Sequence, residues 1–259
     1  MPADPSHWAY PERTREDVAT RTGVYSAYSG YAEGSDPDAI GAHAIVDDDY
    51  ARLYAGNLAA HLRRLALPEN GAVLDIGCGP GTVTAALARA LDAPTHGMDI
   101  DPTIVTAATK RYPQCTFTAG SADDLAGFPD RALRLVHARE FYPYSRVAAP
   151  ELHLRFLAAA APKLVDGGLF AVVQIVDKAG LADTFAQVRA GARALGYADS
   201  GRQVMIPQRA YRKLAGAVNG GGILAGLIFL AIAVLGRLLE LYRSGYVTYI
   251  YWFRRRHSG

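Results

Sequence analysis

Sulfur is scarce in this 259-residue chain, which holds two cysteines, Cys78 and Cys115, and three methionines. The cysteines form no CxxC pair and join no histidine cluster. That excludes a disulfide scaffold, fits a reducing compartment and predicts no metal site. Charge of one sign is lacking too: 27 basic against 25 acidic residues leave a net charge of +2. The balance is too even for a polyanion-binding surface, so nucleic acid is not expected as a partner. The run Arg254-Arg255-Arg256 is the local exception. The opening MPADPSHWAYPERTRED has no basic segment leading into an apolar one. No secretory leader is expected, and the reading is cytoplasmic with membrane association left open. There is no internal repeat and no low-complexity tract.

Half the residues are apolar, and the length suits one domain with an appendage. Residues 1–45 read as an N-terminal arm. Tyr25, Tyr28 and Tyr31 recur there at near-helical spacing, and serve either to pack rings on the domain or to form a lid over a pocket. Residues 46–259 read as the main domain. From Asp47 to Leu67 the positions Tyr50, Leu53, Tyr54, Leu58, Leu62 and Leu65 keep a helical period. Pro68-Glu69-Asn70-Gly71 ends that helix. Strands then alternate with helices: strands at 72–77, 94–100, 115–120, 132–139, 169–176, 202–207 and 246–253, helices at 81–93, 102–112, 150–164 and 181–196. Val165-Asp166-Gly167-Gly168 reads as the turn before the fifth strand. This pattern predicts a doubly wound α/β fold with a sheet covered on both faces.

The stretch VLDIGCGPGTVT (73–84) sets one acid, Asp75, before Gly77, Gly79 and Gly81. Ligands of open parallel sheets bind beyond the carboxyl ends of the strands. Glycines in the first strand-to-helix turn let a ligand lie against the backbone, and the following helix aims free N–H groups at it. A dinucleotide fingerprint needs a glycine where this chain has Thr82. Asp-Ile-Gly-Cys-Gly-Pro-Gly resembles instead the first motif of the class I S-adenosylmethionine-dependent methyltransferases. The second strand strengthens the resemblance, because it ends in GMDID with Asp99 at its tip.

The resemblance spans about residues 45–207. It implies a mostly parallel, seven-stranded Rossmann-like sheet whose last strand returns antiparallel, and S-adenosylmethionine as cofactor. It assigns the methionine half of that cofactor to Asp75, Gly77, Cys78, Gly79 and Gly81, although Cys78 reads first as a small packing residue in the loop. It assigns the ribose diol to Asp99, with Asp101 as competitor, and the adenine face to Ile100. The adenine amino group falls to Ser121, Asp123 or the backbone at Ala122, since the family's Gly-Asp-Ala is absent here. The segment 137–146 would line the acceptor. Its catalytic candidates are Glu140, Tyr142 and His137; Glu140 reads equally as an ion-pair partner of Arg139 or Arg146, whereas His137, within the strand, reads first as a core or supporting histidine. His153 and Tyr144 are lesser candidates. No Asn-Pro-Pro-Tyr-type tetrapeptide follows the fourth strand, which favours a small molecule as acceptor; the expected function is methyl transfer to a small, apolar metabolite. The alternatives are an enzyme that keeps the cofactor as a scaffold for cyclisation or rearrangement, and a membrane-docked binding protein without catalysis.

Residues 217–236, AVNGGGILAGLIFLAIAVLG, are a second feature; from Ile223 to Leu235 no residue is polar. A strand, YVTYIYWF, follows the run, and a bilayer-spanning helix would strand it away from the sheet. The expectation is an apolar helical insert at about 212–243, between the sixth and seventh strands. Its uses are to cap an apolar pocket, to contact a membrane surface peripherally, or to form a homodimer.

Overall fold

Ala72–Ile76, apolar except for Asp75, forms strand β1, and its burial from Val73 onward fits a parallel strand covered on both faces. The computed structural model describes residues 47–141, 150–176, 181–241 and 247–257. The other strands are β2 (Thr95–Asp99), β3 (Thr116–Ala119), β4 (Leu133–Arg139), β5 (Leu164–Val176), β6 (Tyr197–Val204) and β7 (Val247–Arg255). They join in the order β3-β2-β1-β4-β5-β7-β6. β7 runs antiparallel to both its neighbours, and the other pairings are parallel. The chain order reverses between β1 and β4, so their carboxyl ends open the crevice where such sheets hold ligands.

The helices are α1 (Asp48–Arg64), α2 (Thr82–Leu91), α3 (Pro102–Arg111), α4 (Pro150–Ala160), α5 (Leu181–Ala192), α6 (Gln208–Asn219) and α7 (Gly222–Leu241). α1 begins at Asp47, whose carboxylate accepts the Tyr50 N–H at 2.7 Å, and it ends on Arg63 and Arg64. Both ends thus suit the helix dipole. One core layer packs α4 and α5 on the sheet, with Phe156, Leu157, Phe170 and Phe253 at its centre. The other packs α1 and α2 on the opposite face through Tyr54, Leu58, Leu62, Leu87 and Ile250.

Two helices end four residues before the sequence reading, α4 at Ala160 and α5 at Ala192, and two strand boundaries differ. β5 begins at Leu164, not at 169, because the expected turn 165–168 is absorbed as an irregularity in the β4–β5 pairing, between Leu133↔Leu164 and Leu135↔Leu169. β6 spans Tyr197–Val204 instead of 202–207. The polar YADSGRQV has weak strand propensity, but pairing with β7 from Tyr197↔Arg255 to Val204↔Tyr249 overrides it.

The insert is a helical hairpin. α6 buries Tyr211 and Val218 against α1. At that contact Asn57 Nδ2 donates to Ile206 O at 2.6 Å, and Arg63 donates to Asn219 Oδ1 at 2.7 Å. α7 buries Ala225 and Phe229 on its inner side, and Gly236 meets Val204 where a Cβ would not fit. Among the described residues no helix is long and apolar enough to cross a membrane.

His61 anchors this hairpin. Its ring meets Phe229 edge-on at 4.8 Å, and its Nε2 accepts the Ile206 N–H at 3.2 Å. Burial pushes the imidazole down to about 4, against the opposing effect of a hydrogen bond to Gln203. In the unfolded chain the ring returns to about 6.5. The unfolded state therefore binds the extra proton between those values, and stability falls as pH drops from about 6.5 to about 4. Between neutral pH and roughly pH 4.5 this group should remove about 2–3 kcal/mol. Urea unfolding of wild type and His61→Gln across that range should show the shallower loss in the variant.

Candidate functional site

The loop after β1 folds onto the tip of β2, because the N–H groups of Gly77 and Cys78 both donate to Met98 O, at 2.8 and 3.0 Å. Gly77, Gly79 and Gly81 have φ of 67°, 51° and 79°, a region that side chains disfavour. Their surroundings differ. A Cβ on Gly77 would lie 2.7 Å from the Phe141 ring, and one on Gly81 would lie 2.7 Å from Phe117 and 3.1 Å from Ala108 Cβ. A Cβ on Gly79 would meet nothing within 4 Å. Two of the glycines therefore admit neighbouring side chains, and the third faces open space.

Asp99 stands beside that space. Its Oδ2 accepts the Gly79 N–H at 2.9 Å and its Oδ1 accepts the Asp101 N–H at 3.2 Å. Burial raises its carboxyl above the ordinary value, while backbone N–H groups of Gly79, Asp101 and Ile100 pull it back. Asp101 caps α3, accepting from Thr103 N at 2.8 Å. Asp101 is thus taken up by the helix, while Asp99 lies against the loop. Cys78 is buried, with Sγ directed at Gly79 O at 3.6 Å, and burial raises its thiol above the ordinary value.

Asp75 does not face the opening. It is buried, and both its oxygens are engaged: His137 Nδ1 at 2.7 Å on Oδ1 and Thr84 Oγ1 at 2.6 Å on Oδ2. His137 is fully buried, and its Nε2 lies 2.8 Å from the Tyr54 hydroxyl. A carboxylate only accepts, so His137 donates to Asp75 through Nδ1, and its Nε2 pairs with the Tyr54 hydroxyl. Burial raises Tyr54 well above its ordinary value, which keeps it a donor. The chain Tyr54–His137–Asp75–Thr84 therefore ties α1, β4, β1 and α2 together below the loop. Sequence reasoning did not find Tyr54 or Thr84 as members, because Tyr54 read as one position in an apolar helical stripe.

At the tips of β3 and β4 the remaining candidates are spread out. Ile100 is half-buried and packs on the core. Ala122 is buried, and the Ser121 hydroxyl donates to Asp123 Oδ1. Glu140 follows β4 with φ of 45°, unusual for a side-chain-bearing residue, and its N–H donates to Val173 O at 2.9 Å. Non-glycine residues held in this region concentrate at functional sites. Phe141 follows, edge-on to Phe156 at 5.3 Å. Tyr142, Tyr144 and the arm tyrosines 25, 28 and 31 lie outside the described residues. His153 is buried on α4. Among the described residues no group of three or more His, Cys, Asp or Glu side chains could hold a metal.

Residues 73–168 match the family described as Methyltransferase domain. The chain is 33% identical to trans-aconitate 2-methyltransferase of Methylobacterium radiotolerans, over 43% of this chain and 40% of that one. It is 32% identical to the enzyme of the same name from Variovorax paradoxus, over 59% of each chain. The chain thus spans only about half the length of these relatives. Among solved structures, the cyclase SpnF superposes with a TM-score of 0.55 at 19% identity, covering 95% of this chain and 97% of that one. At that identity the likeness speaks for the fold.

The buried chain of hydrogen bonds makes a stability prediction. His137→Leu strips partners from both Asp75 and Tyr54 inside the core, and should cost about 3 kcal/mol in urea unfolding. Thr84→Val removes one donor and should cost about 1–2 kcal/mol.

Proposed function

We propose that this chain, a member of the class I S-adenosylmethionine-dependent methyltransferases, transfers a methyl group to a small, apolar metabolite. The observation that carries the reading is the pairing of the open face of Gly79 with the Asp99 carboxylate. A backbone without a Cβ lets the ligand lie close. Asp99 Oδ2 accepts the Gly79 N–H and Oδ1 the Asp101 N–H, and its two acceptor oxygens suit the two hydroxyls of a vicinal diol. These residues fit a ribose-bearing cofactor.

S-adenosylmethionine, when bound, supplies a methyl group on a sulfonium already activated for displacement. The chain's residues then have three tasks. Gly77, Gly79 and Gly81, with the uncapped first turn of α2, hold the methionine half; the cap position, Gly81, has no side chain to occupy those N–H groups. Asp99 grips the ribose, while Ile100 and the segment Ser121–Asp123 border the adenine. Asp75 acts through the loop, since its oxygens belong to His137 and Thr84. Alignment of an acceptor lone pair with the methyl is the main remaining requirement. Glu140 is the group placed to orient an acceptor hydroxyl or amine, or to take its proton if one is lost. Phe141 and Phe156 beside it favour an apolar acceptor, and the small-molecule acceptor named in the relatives supports a metabolite over a macromolecule.

Calorimetry tests the reading. Wild type should bind S-adenosylmethionine, and Asp99→Ala should bind it about tenfold to a hundredfold more weakly. No binding by a folded wild-type sample would overturn it. The product mass then fixes the reaction: methyl transfer adds one CH2 unit, and cyclisation adds none.

A further inference from the structure

We propose that the α6–α7 hairpin is a docking surface for an anionic lipid bilayer, with its tip and the outer stripe of α7 seated at the headgroup–acyl boundary. The inference rests on the hairpin alone and stands independently of the reaction assigned above.

α7 is pinned on one side and bare on the other. Its inner side meets α1 and β6 through Phe229 and Gly236. Its outer side carries Ile223, Leu224, Leu227, Leu230, Val234 and Leu238, all exposed. Their spacing places them on one helical face, a stripe about 22 Å long. Ile223 is 86% exposed and Leu224 59%. They follow Gly220-Gly221-Gly222, whose last two members have φ of 70° and 73°. The hairpin thus turns without side chains that would shield its apolar tip. An exposed apolar surface of this extent in water calls for an occupant.

Charge identifies that occupant. From residue 200 to 239 the chain contains five basic residues and no Asp or Glu, although the whole sequence is nearly balanced. Arg209, Arg212 and Lys213 are exposed on α6, which packs on α7. Two further exposed arginines reach the hairpin from α1: Arg63 donates to Asn219 at the end of α6, and the Arg64 guanidinium lies 4.5 Å over the Phe229 ring. An apolar stripe bordered by cations is the pattern of a helix lying in the plane of an anionic interface. A second copy docked through the same face would set these cations against one another.

The test is co-sedimentation of the full chain with vesicles of phosphatidylcholine alone and of phosphatidylcholine mixed with phosphatidylglycerol. The mixed vesicles should bind it, the neutral ones at least about tenfold more weakly, and added salt should release it. Leu227→Glu with Leu230→Glu should weaken binding at least about tenfold. Arg212→Glu with Lys213→Glu should weaken it and flatten its salt dependence. These side chains are exposed, so the thermal melt should not change in either variant. Equal binding to neutral vesicles, or none by the folded chain, would overturn the proposal. So would a dimer, seen by light scattering, that Leu227→Glu splits while vesicles leave it untouched.

Discussion

The Asp75 carboxylate is the group on which the rest of the site depends. It sits at the end of β1, out of water, where an unpartnered charge would be costly. Thr84 satisfies one oxygen from α2 and His137 the other from β4. Those two bonds fix how the first helix stands on the sheet. Tyr54 closes the chain from α1, so one face of the domain is registered to the strand ends by a single run of hydrogen bonds. The glycine loop spans the short gap between two of these fixed points, and its conformation follows from them.

Within that frame the three loop glycines divide their work. Gly77 admits Phe141 from the tip of β4, and Gly81 admits Phe117 from β3. Phe117 also packs where a Cβ on Gly97 would sit, 2.5 Å away. β3 and the tip of β4 are therefore locked under the loop by aromatic rings that fit only against glycine. Gly79 is left facing open space, with the Asp99 carboxylate hydrogen-bonded to its N–H.

Much of this was legible in the sequence because it is local. The acid, the alternate glycines and the acid at the next strand tip lie within residues 75–99, and the alternation of strands and helices needs only short windows. Asp101 was ambiguous until its capping bonds could be seen. Tyr54 and Thr84 were not legible as partners of Asp75, because the contacts depend on how α1 and α2 pack on the sheet. Phe141 gave no signal as the neighbour of Gly77 for the same reason. The edge strand β6 was misplaced because its polar residues form a strand only when β7 is there to pair with. The apolar insert was legible as an insert, but which of its faces stays bare depends on the fit of Phe229 and Gly236 against α1 and β6.

The position of β7 has a consequence for how the chain is made. β7 lies between β5 and β6, yet it is synthesised after both and after the α6–α7 hairpin. Until residues 247–255 leave the ribosome, β5 is an open sheet edge with its ladder groups unpaired, and β6 has no strand to join. An unpaired apolar edge invites association with other chains. The nascent protein therefore carries two hazards at once, the waiting slot beside β5 and the bare apolar stripe of α7. Insertion of the last strand ends the first, and joins to the sheet the strand from which the insert departs.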